Sequence, residues 1–219
     1  MRKAIYSVIT GGYDDLLIAP YFEGWDVIMF TDKDFEDSKG WEIRKLPKSE
    51  NPLIQSREIK MLSHKYLQEY DLVCYMDGNQ KLIKEPPGSP VWFTHTRRQS
   101  IYEEARQIII NGRFPADKIN EQINYYIAQG YKDCGLYLNG FFVRDHSPEI
   151  NKLHEAWFLE TCQFVPRDQL SLPFTIWKTG ITPKNIYSAT YKNQWAIVTQ
   201  AHPQLYETKN PSHYSGSLR

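Results

Sequence analysis

Apolar positions run along this chain in two rhythms. Residues 4–10, Ala4 to Thr10, are β-branched and apolar almost without a break, the pattern of a strand buried on both faces. Similar runs recur at 26–31, which ends beside Asp32, at 41–46, at 71–76 and at 91–94. Between them the rhythm changes. Residues 53–69 carry Leu53, Ile54, Ile59, Leu62, Tyr66 and Leu67 at mostly helical spacing, which predicts one amphipathic helix. Residues 100–129 read as two helices split around Gly112 to Pro115. Two more are expected, over 148–162 and from Arg167-Asp168-Gln169 through Trp177. Residues 135–144 read as a strand pair or hairpin around Asn139-Gly140, because Asn-Gly suits a tight β-turn. From about Ile186 the pattern shortens to small strands and a polar tail.

Strands alternating with helices predict an α/β sheet. No repeat, low-complexity run or linker divides the chain, so residues 1–219 are read as one domain. In such sheets, ligands gather at the carboxyl ends of strands. The informative residues fall there: Thr10-Gly11-Gly12, Asp32 and Asp77-Gly78-Asn79.

Composition changes this picture little. Formal net charge is zero, which sets aside the broad positive field of a protein that coats nucleic acid. Aromatics reach 14%, and flat π faces suit sugar rings and bases as well as a core. Cys74, Cys134 and Cys162 are odd in number and widely spaced, so they are read as reduced and mostly buried, in a cytoplasmic compartment. The basic start, Met1-Arg2-Lys3, leads into a short run that meets Gly11-Gly12, which reads as a first strand and not a leader. No run is long enough to span a bilayer.

The densest chemistry lies at Tyr75-Met76-Asp77-Gly78-Asn79. A buried strand ends and releases two oxygen-bearing side chains two residues apart, and Gly78 permits a turn that points both the same way. Such hard oxygens suit Mn²⁺ or Mg²⁺, which also grips a diphosphate and offsets charge on a leaving nucleotide. Asp-Gly-Asn is equally an ordinary turn. Arg57 and Lys60 share a helix face, which usually means a solvated one. Asp168 stands where a helix N-cap would. His95, Arg97 and Arg98 follow a strand end, where they suit contact with donor or acceptor. His64, His146, His154 and His202 show no mutual ligand spacing and are read as structural or surface residues.

Several stretches occur together and in order: Ala4 to Asp14, Phe30 to Asp32, Ser56 to Lys60, Tyr75 to Asn79, Ile101 to Ala105, and Arg167 to Phe174. In these the chain resembles the glycosyltransferase-like family of the plant turgor and mucilage proteins. More distantly it is similar to the retaining enzymes of glycosyltransferase family 8. The resemblance implies a GT-A-like, Rossmann-type mixed sheet flanked by helices. It implies transfer of a sugar, with retention, from a nucleoside-diphosphate sugar to an acceptor hydroxyl; uracil is the base by family habit. The late motif His213-Tyr-Ser-Gly216-Ser-Leu-Arg219 carries a His and a Gly at family positions, with Arg219 where a Lys would stand. By resemblance, His213 completes the metal site with Asp77 and Asn79, Arg219 grips the diphosphate, and residues 207–219 close over the donor. The Asp168-Gln169 pair would lie beside the donor sugar, near Asp77 and Gly78, and Asn139 and Gly140 would line the acceptor side. Arg57 and Lys60 would face the donor beside Thr10, Gly11, Tyr13 and Asp32, with Tyr13 stacked on the base and Asp32 accepting from it. An inverting course would instead need a carboxylate base, for which Asp168 is the candidate. Glycans, lipid-linked sugars, protein side chains and a modified DNA base all remain open as acceptors. A nucleotidyltransferase and a non-catalytic carbohydrate-binding protein are the competing readings. The first is opposed by the acidic Tyr13-Asp14-Asp15 after Gly11-Gly12, the second by the metal-like donor set.

Overall fold

The computed structural model describes residues 1–188 and 194–199. The expected strands form: β1 (Lys3–Ile9), β2 (Trp25–Thr31), β3 (Glu42–Lys45), β4 (Leu72–Met76) and β6 (Val91–Thr94). Between β4 and β6 lies a short strand the sequence did not announce, β5 (Gln80–Leu82). Beyond them come β7 (Tyr137–Asp145), β8 (Ile186–Tyr187) and β9 (Ala196–Val198). Seven strands make one mixed sheet in the order β3-β2-β1-β4-β7-β6-β8, and β5 pairs separately with β9. The first four run parallel, and β7 lies antiparallel to both β4 and β6. This is the α/β architecture expected, and it is consistent with a GT-A-like sheet.

Alternation along the strands separates two faces. Ala4, Tyr6 and Val8 of β1 pack with α1 (Pro52–Met61), α5 (Pro148–Gln163) and α6 (Asp168–Thr179) through Ile59, Met61, Leu153, Trp157 and Leu172. Ile5 and Ile9 face the other way, against Trp25 at the start of β2 and against Leu16 and Trp41 from the strand connections. A third cluster joins α6 to α3 (Ile101–Ile110) and α4 (Ala116–Ala128).

Three expectations need correction. The helix over 53–69 is not continuous: α1 stops at Met61, Leu62 leaves helical geometry at φ −98 and ψ 33, and a single turn, α2 (Ser63–Tyr66), follows. The cause is distant in sequence. The Met61 carbonyl, which a continuous helix would offer to Lys65, is taken by the buried Arg144 guanidinium at 3.1 Å and by His154 Nδ1 at 2.9 Å. Lys65 N–H turns to Leu62 instead. Second, Asn139 and Gly140 form no hairpin turn; they lie inside β7, where pairing with β6 is irregular. Val91 pairs with Val143 but Phe93 pairs with Leu138, so extra β7 residues bulge there. Third, Cys74 is buried, but Cys134 is exposed and Cys162 only half-buried. Residues 207–219, expected to close over the donor, lie outside the described residues.

Candidate active site

In the parallel half, β1 is followed outward by β2 on one side and has β4 on the other. The carboxyl ends of β1 and β4 therefore flank the point where strand order reverses, where open α/β sheets form a crevice. A cavity of about 360 Å³ lies there. Thr10 enters from the end of β1 and Asp77 from the end of β4.

The β1 side is built by backbone chemistry. Thr10 Oγ1 donates to the Pro52 carbonyl at 2.7 Å, tying the strand end to the start of α1. Gly11 turns at φ +61 with its N–H between the two Asp32 oxygens, 3.0 Å from each. A Cβ at Gly11 would come within 2.7 Å of Pro52. Thr10 and Tyr13 thus reach the cavity, whereas Gly11 and Asp32 shape the turn behind it and are not in its lining. Asp14, buried, does line it.

On the β4 side, Asp77 N–H donates to the Gly140 carbonyl at 2.9 Å, and Tyr75 Oη donates to Asp77 Oδ1 at 2.8 Å. Two glycines make room for the carboxylates. A Cβ at Gly140 would lie 2.6 Å from Asp77 Oδ2 and 2.5 Å from Gln80 Nε2, and one at Gly78 would lie 3.0 Å from Asp14 Oδ2. Asn79 is buried outside the lining, its carbonyl taking the Thr199 N–H at 3.0 Å. The structure therefore brings Asp77, Gly78 and Gln80 to the cavity together, without Asn79.

The opposite wall is ionic. Lys60 is only 2% exposed, so its helix face is not a solvated one. Its ammonium lies 2.6 Å from Asp168 Oδ2, 3.7 Å from Asp77 Oδ1 and 4.7 Å from the centre of the Tyr75 ring. Asp168 is the first residue of α6 and makes no capping bond; it turns to Lys60. Burial pushes its carboxyl up, but Arg57, Lys60 and Arg167, with the Lys60 hydrogen bond, more than offset that and hold it well below the usual carboxylate range. Arg57 lines the cavity, with Nε 3.5 Å from the Pro166 carbonyl.

Arg167 reaches the cavity between two partners, the Gln169 amide oxygen and Glu104 Oε1 at 2.7 Å. Glu104, 1% exposed, holds Arg98 through its other oxygen. Gln169 lines the cavity with its Nε2 3.4 Å from the Tyr137 carbonyl. Arg98 is thus spent on Glu104, and His95 Nδ1 accepts the backbone N–H groups of Arg97 and Arg98. None of His95, Arg97 and Arg98 is in the cavity lining. Asn139 and Gly140 both are.

Sequence reasoning missed Asp14, Gln80, Arg113, Phe114 and Arg167 among the lining residues. Asp14 and Arg167 stood inside stretches already singled out, so a signal existed for them. Gln80 directly follows the Asp77-Gly78-Asn79 turn. Arg113 and Phe114 lie between α3 and α4, and nothing local marks that turn as near β4. Four cations (Arg57, Lys60, Arg113, Arg167) and three carboxylates (Asp14, Asp77, Asp168) line the cavity among the described residues. No three His, Cys, Asp or Glu side chains converge as a ready cation cage among those residues. His213 and Arg219 lie outside them. No helix among them is long and apolar enough to cross a membrane.

Comparison with curated proteins returned no match. The sequence model of a family described as TOD1/MUCI70, glycosyltransferase-like domain, matches residues 50–200. That span holds Arg57, Lys60, Asp77, Gln80, Asn139, Arg167 and Asp168, so most of the cavity wall comes from the matched region. The chain belongs to the TOD1/MUCI70 glycosyltransferase-like domain family.

Proposed function

We propose that this chain is a glycosyltransferase that moves a sugar from a nucleoside-diphosphate sugar, with uracil as the expected base, to an acceptor hydroxyl. The observation that carries the reading is the cavity itself. At the strand-order reversal, carboxylates from the strand ends face a wall of buried or tethered cations. That charge pattern suits a diphosphate, whose oxygens need both cations and a metal to be held.

The donor set fits a divalent cation. Asp77 and Asp14 crowd two glycines, Gly140 inside β7 and Gly78 in the turn after β4, with oxygens where Cβ atoms would otherwise stand. Mn²⁺ and Mg²⁺ are commonly held by one or two protein carboxylates, with substrate phosphate and water supplying the rest. When bound, such an ion would offset charge on the departing diphosphate. Arg57, Lys60 and Arg167 would take up the remainder from fixed positions. Tyr13 would stack on the base.

Asp168 supports retention over inversion. A carboxylate held well below its ordinary range is a weak proton acceptor, and Lys60 occupies one of its oxygens. It is thus a poor base for activating an acceptor from the far side. Its role would be to hold Lys60 and orient the sugar beside Gln169. The nucleotidyltransferase reading is disfavoured by Asp14, whose buried carboxylate stands where a phosphate loop would need donors. A neutral sugar alone would not call for a cavity lined by four cations.

Release of sugar from UDP-sugars in the presence of Mn²⁺ tests the proposal. Hydrolysis that needs the metal and is lost in Asp77→Ala supports it. Intact nucleotide-sugars of every base, with an active nucleotidyl exchange in their place, would replace it with the competing enzyme.

A further inference from the structure

Two residues of the cavity lining each hold a buried polar atom with no hydrogen-bond partner. The atoms are Gln80 Oε1 and Asn139 Nδ2, on residues 4% and 2% exposed. An unmet buried donor or acceptor carries a desolvation cost that nothing in the fold repays. Folding alone gives no reason to keep two of them in one pocket.

The identity of each atom follows from its neighbours. Trp92 Nε1 lies 3.3 Å from Asn139 Oδ1. An indole N–H only donates, so the Asn139 oxygen must face Trp92 and the amide N–H groups must face away. Asn139 is held in this orientation by a residue of the core, and Trp92 itself stacks on Phe142 with ring centres 4.2 Å apart. Gln80 Nε2 and Asp77 Oδ2 both crowd the space over Gly140. A carboxylate only accepts, so the amide nitrogen belongs on that side and Oε1 on the other. The two lining residues therefore hold one fixed acceptor and one fixed donor, each without a partner.

We propose that Gln80 and Asn139 form the subsite that reads the hydroxyl groups of the transferred sugar, one hydroxyl donating to Gln80 Oε1 and one accepting from Asn139 Nδ2. This rests on the nucleotide-sugar reading above. The location selects the sugar over the base: Gln80 N–H bonds the Asp77 carbonyl at 3.0 Å. A group touching Gln80 is thus next to whatever Asp77 holds, and the sugar is what is bonded directly to the diphosphate. Hydroxyls suit the pair because each can donate and accept, whereas phosphate oxygens would meet Gln80 Oε1 as one acceptor facing another. A site built to hydrogen-bond a hydroxyl rejects a ligand that lacks it strongly, because the buried groups are left unpaired again.

Calorimetry with UDP and with UDP-glucose and UDP-galactose, in Mn²⁺, tests this on wild type, Gln80→Met and Asn139→Asp. Methionine keeps the shape of Gln80 without the acceptor. Aspartate keeps an oxygen for Trp92 and removes the donor but adds a negative charge, so the uncharged Asn139→Ser is measured beside it and decides that arm. The expected result is UDP affinity within about twofold of wild type in both variants, while the better of the two UDP-sugars weakens at least tenfold. Unchanged UDP-sugar affinity in both variants overturns the subsite and leaves the nucleotide-sugar reading standing. Equal loss of UDP and UDP-sugar in folded variants also overturns it and assigns the pair to the nucleotide. Failure of wild type to bind UDP, GDP, CDP or ADP with metal overturns the parent reading, and the subsite falls with it.

Discussion

The parallel and antiparallel halves of the sheet reach the cavity by different routes. β1 and β4 stop there and release Thr10 and Asp77 from their ends. β7 does not stop; it runs past the cavity and contributes Asn139 and Gly140 from its irregular middle. A strand end presents a side chain that is free to turn toward a ligand. A mid-strand residue is fixed by both neighbouring strands, so it serves best as a rigid wall. The contrast fits the side chains: the parallel strand ends bring the carboxylates Asp14 and Asp77, and β7 brings Asn139 and Gly140.

The largest effect is expected on the parallel side, at the crossover helix α1. Lys60→Met leaves Asp168 buried without its nearest cation, which costs about 3–5 kcal/mol. Urea unfolding measures this, and adding Asp168→Asn should recover most of the loss. The effect also depends on pH. The folded Asp168 carboxyl titrates below its unfolded value, so its contribution is full above about pH 4 and drains as pH falls toward the lowered value. The gap between wild type and Lys60→Met therefore narrows in acid. A gap that stays constant from pH 7 to pH 3 would mean that the pair is not what the substitution breaks.

Next comes the antiparallel wall. Gly140→Ala drives a methyl into Asp77 Oδ2 and Gln80 Nε2, an overpacking that costs about 1–3 kcal/mol. It should also weaken metal-dependent UDP binding more than tenfold. Gly88→Ala is the control, since its Cβ would meet nothing within 4 Å, and it should leave binding unchanged. If Gly140→Ala binds like wild type, β7 is not the rigid wall described. The smallest effect belongs to the start of α1, where Asn51 Oδ1 accepts the Ile54 N–H at 3.1 Å. Asn51→Ala should cost about 1 kcal/mol and shift thermal unfolding without altering the cavity charges.

The same contrast decides how much could be read from sequence. The parallel strands are apolar runs that end at a glycine or an acid, and both the strands and their terminal chemistry were legible. Asn139-Gly140 was misread as a possible turn because the pair has that local preference; its place in β7 depends on β4, some sixty residues earlier. Spacing alone offered Lys60 a solvated face, and only the resemblance turned it toward the donor, because its partner Asp168 lies 108 residues away. The break after Met61 was invisible for the same reason, being imposed by Arg144 and His154. Arg98 looked available at a strand end, but Glu104, on the next helix, takes it. What local pattern controls was legible; what a buried polar partner controls was not.

In the proposed function, Asp77 at the end of β4 anchors a nucleotide through a divalent cation. Calorimetric titration of UDP with and without Mn²⁺, on wild type and Asp77→Ala, is the decisive test. Binding to wild type should require the metal and disappear in the variant. Equal binding with and without metal, or binding that survives in Asp77→Ala, would contradict it.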